Sequence, residues 1–184
     1  DELEEVLERV RKLIDELRKH SKEVLDTVRD LLRRHKKKNE DSLRTVRKLL
    51  TDLEDAVRKI ERKEDLRRLI EDVKRKVEKI IRDNERHLRE IEEEIRKLIE
   101  ENRKLIEEVI RRIEELIKEL DKRERDERVK RVAEEIKKLL EDLRKESEDV
   151  VKELEDLLDE LRRRTEKVVR EIEELLKRLE ERVK

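Results

Sequence analysis

Residues 25–46 read LDTVRDLLRRHKKKNEDSLRTV. Two readings compete for this stretch. Its middle, His35 to Ser42, carries no aliphatic residue and resembles a loop. A loop there would divide the chain into four or more helices. Yet the apolar residues on either side keep one phase: Leu25 is followed eighteen positions later by Leu43, and Val28 by Val46. A loop resets such a phase. The stretch therefore reads as the middle of one long helix, and the chain as three helices.

The same interval extends outward in both directions. Leu7 precedes Leu25, Val10 precedes Val28, and Leu13, Leu31 and Leu49 form a further series. Val73, Ile91 and Val109 repeat it later in the chain, as do Leu139, Leu157 and Leu175. A longer period of 63 residues relates Leu3, Leu66 and Val129, and likewise Val10, Val73 and Ile136. Eighteen residues make five turns of an α-helix at 3.6 residues per turn. A heptad repeat winds helices into a left-handed supercoil, whereas this interval keeps the apolar stripe on one side of a nearly straight helix. The pattern lapses at Glu61–Asp65 and at Asp121–Asp126, where Asp65 and Asp126 suit the N-cap role. Short connections make neighbouring helices antiparallel. The expected fold is all-α: an antiparallel, up-down-up three-helix bundle forming a single domain over residues 1–184. Its helices are expected at about residues 2–61, 65–121 and 126–183.

Composition removes many functions. Charged residues make up 60% of the 184, against about 25% in an ordinary soluble domain. Aromatic residues, Gly, Pro, Cys and Met are absent. Without Gly there is no phosphate-cradling loop and no dinucleotide fingerprint. Without Cys there is no disulfide, no thiolate nucleophile and no Cys-ligated zinc. Lys and Arg number 55 and Asp and Glu 56, interspersed, so no basic face is expected to bind nucleic acid. No apolar run approaches the ~20 residues of a membrane span. No signal-peptide pattern opens the chain.

Polar residues interrupt the apolar stripe at matched places. The series Leu3, Ser21, Asn39, Val57 has two polar members; so do Leu66, Asn84, Asn102, Leu120 and Val129, Ser147, Thr165, Val183. In antiparallel helices, residues at one height have numbers with a constant total. That rule groups Ser21, Asn102 and Ser147 in one layer and Asn39, Asn84 and Thr165 in another. Partnered in register, these groups are satisfied; in a slipped register they face Leu and Ile, at about 1–3 kcal/mol for each stranded group. His35 and His87 take the place of leucines in their own series and should lie near the second layer, with His20 beside the first.

The three histidines could suggest a metal centre. Zinc needs three or four placed ligands, and only His35 and His87 are expected to meet, so network histidines are the preferred reading. A pH-sensitive role is the stronger functional alternative, because a buried neutral imidazole resists protonation. Ser21 and His20 are adjacent on a helix and do not face each other, which speaks against a catalytic pair. No catalytic residue, cofactor or metal is expected. The basic run Arg33–Lys38 reads as a solvated face alongside Glu90–Glu94. Ile81, Ile99, Ile110 and Ile117 widen the stripe of the second helix and are the candidates for any contact between copies.

The eighteen-residue series, the Glu/Lys/Arg surface and the matched polar layers make the whole chain resemble computationally designed parametric three-helix bundles with buried hydrogen-bond layers. That resemblance implies a hyperstable scaffold with no natural biochemical function, no enzymatic activity and no required partner. It also implies a soluble monomer that a host expresses in its cytoplasm. The alternative is an interaction module or a subunit of a designed helical oligomer. Such bundles often place Gly in their loops, and this chain has none. Natural spectrin-like repeats have shorter helices and aromatic cores.

Overall fold

A computed structural model describes residues 1–123 and 126–183, with Val183 described by its backbone alone. Glu124 and Arg125, within the expected second connection, and the side chain of Val183 lie outside the described residues. Three helices follow in order: α1 (Glu2–Val57), α2 (Lys63–Asp121) and α3 (Glu127–Val183). The stretch from His35 to Ser42 is helical throughout, so eighteen-residue phase outweighs polar composition there. The charges along α1 point outward while the residues in phase with Val10 and Val28 point inward.

The helices end where the apolar pattern lapses, with local differences. α1 stops at Val57, ahead of the boundary expected near 61. The Lys59 N–H donates to the Ala56 carbonyl at 3.0 Å, a tightening from the i−4 to the i−3 acceptor that turns the chain out of the helix. α2 begins at Lys63, and the Leu66 N–H bonds the Arg62 carbonyl, so Arg62 holds the cap position expected for Asp65. Asp65 instead lies in the first turn beside Glu64, where a carboxylate still faces the positive end of the helix dipole. Asp126 does cap α3: its carboxylate accepts the Arg128 N–H at 3.1 Å and its carbonyl accepts that of Lys130. No described residue has a positive φ, so the described parts of both connections dispense with Gly.

The chain forms two compact units, each drawing on all three helices. The first comprises Asp1–Arg29 and Glu94–Leu157. Its core includes Val10, Ile14, Leu17, Ile113, Ile136 and Leu143, each at most 3% exposed. Glu2 pairs with Arg123, and Ser21 with Asn102, so α2 runs against α1 in this unit. Arg11 meets Glu135 and Arg18 meets Glu146, so α3 runs with α1. The second unit takes Asp30–Glu93 and α3 from Leu158 onward. Val46, Leu53, Val77 and Ile172 lie at its centre. His35 meets His87 and Asn39 meets Asn84, again antiparallel; Arg47 meets Glu171.

All four isoleucines singled out on α2 are packed into these units. Ile99 and Ile117 are 8% exposed, Ile110 packs on the first core and Ile81 on the second. Among the described residues no large hydrophobic side chain is exposed, and no helix is long and apolar enough to cross a membrane.

Candidate functional site

The polar residues that break the apolar stripe are the chemically distinctive groups of the interior. The first unit holds Ser21, Asn102 and Ser147, all buried, with His20 half-buried beside them. The Ser21 hydroxyl donates to Asn102 Oδ1 at 3.1 Å. His20 Nδ1 reaches the same oxygen at 3.3 Å and must carry its hydrogen there, because an amide oxygen only accepts. Ser147 lines, with Ser21, a groove of about 220 Å³ between α1 and α3. Asn102 Nδ2 is buried and without a partner. Ser21 and His20 therefore share an acceptor, and no imidazole nitrogen stands ready to take the serine proton.

In the second unit Asn39, Asn84 and Thr165 are buried as well, but they divide between two clusters. Asn84 Nδ2 donates to Asn39 Oδ1 at 3.2 Å, and Asn84 Oδ1 accepts the Ser42 hydroxyl at 2.7 Å. Thr165 turns to the histidines instead. His35 is fully buried, with Nε2 2.8 Å from Thr165 Oγ1 and Nδ1 2.6 Å from Nδ1 of the half-buried His87. The two rings meet edge to edge, nearly coplanar, with centroids 4.9 Å apart and planes 22° from parallel. Thr165 Oγ1 donates onward to the Leu161 carbonyl at 2.9 Å.

Ser42 is the member that the sequence reading passed over. It lies outside the eighteen-residue polar series, in the stretch that looked like a loop. Its position three residues after Asn39, one helical turn away, was the signal that could have found it.

Both histidines of the second unit resist protonation. Burial brings His35 down from 6.5 to about 4, and the charges of His87 and Lys38 push the same way against Glu92. His87 is lowered too, by burial and then Lys38, with Glu90 opposing. Ion pairs lie at the rims. Arg162 on α3 holds Glu92 through two bonds of 3.0 and 3.4 Å, while Arg33 and Arg34 pair with Asp30 of their own helix. No described group of three or more His, Cys, Asp or Glu residues is placed to hold a metal ion.

No protein-family model matches the chain, and no curated protein matches it. Among solved structures it is similar to a computationally designed three helix bundle, with a TM-score of 0.79 and 19% identity. The match covers 99% of this chain and 90% of that one. The fold is that of a three-helix bundle.

Proposed function

We propose that this chain is a designed structural scaffold, a single domain over residues 1–184 whose task is to fold stably, without enzymatic activity and without a required partner. The observation that carries this reading is the match of buried polar groups across helices at eighteen-residue intervals, in both units. Ser21 with Asn102, and Asn39 with Asn84, are bonded pairs at the register positions that the repeat demands. Such in-register networks specify one alignment of the helices against its slipped competitors. The neighbouring designed bundle supports an artificial origin. The uniform Glu/Lys/Arg surface, with no exposed large hydrophobic among the described residues, supports a monomer.

Sedimentation equilibrium across micromolar concentrations, followed by thermal denaturation monitored by circular dichroism, tests the reading. A mass of 22.8 kDa at every concentration and one cooperative transition at high temperature are expected. A multiple of that mass would instead make the chain a subunit of a helical oligomer, the second reading that its bundle surface allows.

A further inference from the structure

We propose that His35 and His87 together form a one-proton site: the folded second unit holds a single added proton on this pair, and a second one breaks the unit open.

The hydrogen-bond directions of the neutral state follow from the threonine. Thr165 Oγ1 has one hydrogen, and it goes to the Leu161 carbonyl. Toward His35 that oxygen can only accept, so His35 Nε2 carries the imidazole hydrogen. A neutral imidazole has one N–H, which leaves His35 Nδ1 as a bare lone pair. His87 Nδ1, at 2.6 Å, must therefore bring the hydrogen to that contact. The chain of donors runs one way: His87 Nδ1–H to His35, His35 Nε2–H to Thr165, Thr165 O–H to Leu161.

One lone pair remains free, on His87 Nε2, and His87 is the half-buried ring of the two. A proton from solvent forms a new N–H bond there and breaks no hydrogen bond. It makes His87 an imidazolium whose Nδ1–H bond to His35 is then charge-assisted, the stronger kind. A second proton has only His35 Nδ1 to occupy. That would set two N–H groups head to head at the present 2.6 Å contact and place two cations in rings whose centroids are 4.9 Å apart. Groups facing the pair from each helix grade the two steps. Lys38 on α1 opposes positive charge on both rings, while on α2 Glu90 favours it on His87 and Glu92 on His35. On α3, Arg162 draws Glu92 into its own ion pair, and Thr165 blocks the Nε2 side of His35.

Long-range proton–nitrogen correlation of the imidazoles in the ¹⁵N-labelled full chain, from pH 8 downward, tests the site. Each ring is assigned through its His→Gln variant. At pH 8 we expect a hydrogen on Nε2 of His35 and on Nδ1 of His87. On acidification His87 becomes an imidazolium while the amide spectrum stays folded, and His35 stays neutral until the fold is lost. A hydrogen on Nε2 of His87 at pH 8 would overturn the proposal. So would ionisation of His35 before His87, or loss of the folded spectrum with the first proton. His87→Asn supplies an independent arm, since its amide still donates to His35 but takes no proton. Potentiometric titration should show this variant binding one proton fewer than the parent before unfolding begins; equal uptake would sink the idea. Should the variant not fold, the spectra of the parent decide.

Discussion

Asn84 is fully buried and uses both ends of its amide, donating to Asn39 and accepting from Ser42. Asn84→Ala removes the partner of both and opens a small cavity. We expect it to cost about 2–4 kcal/mol in urea-monitored unfolding, more than a typical substitution. Asn102 is the contrasting case, with two donors on its oxygen and none of its own hydrogens placed. The histidines add a dependence on pH whose sign follows from their lowered values. A group whose folded pKa lies below its free value binds protons more readily in the unfolded chain. Stability is thus complete above about pH 6.5 and falls as pH drops toward about 4. For His35 alone the loss is about 3 kcal/mol once that window is crossed. Urea midpoints measured between pH 7.5 and 4 should decline in the parent. They should decline much less in a His35→Leu, His87→Leu double variant. The sequence marked these polar residues as interior groups, because the eighteen-residue interval fixes which side chains face inward. It did not disclose that Thr165 bonds a histidine rather than the asparagines, since that choice depends on side-chain reach within one layer.

Helix ends and helix surfaces differ sharply in what they contribute. Asp126 accepts an otherwise free N–H at the start of α3. Asp126→Ala should lower stability by about 1 kcal/mol, read as a fall of a few degrees in melting temperature. Arg11 forms an ion pair with Glu135 at 3.2 Å, but both side chains are about half exposed. Arg11→Gln should change stability by less than about 0.5 kcal/mol. Most of the chain's charged residues belong with Arg11, keeping the helix faces solvated without deciding how they pack. The helices were legible because an apolar stripe in constant phase needs neither Gly nor Pro to mark it. Their exact ends were less so: α1 gives way at Val57 through a tightened last turn, and α2 starts at Lys63 without an Asp cap.

The molecule divides into two compact units, yet every helix runs unbroken from one to the other. If the chain unfolds as one domain, damage in either unit lowers the same transition. Ile113→Ala in the first and Ile172→Ala in the second each remove a fully buried side chain and should each cost about 2–5 kcal/mol. Native-state hydrogen exchange then decides: slowly exchanging amides of both units should lose protection together in either variant. Loss confined to the mutated half would mean two independently unfolding units. By itself the sequence determined the number of helices, their antiparallel order and which polar residues face the interior. All three follow from one-dimensional periodicity, since a helix converts spacing along the chain into direction in space. Only the tertiary structure decided which buried donor meets which acceptor. It alone brought His35 Nδ1 against His87 Nδ1 and left Asn102 Nδ2 unpaired, because those outcomes rest on distances between helices that no spacing within one helix encodes.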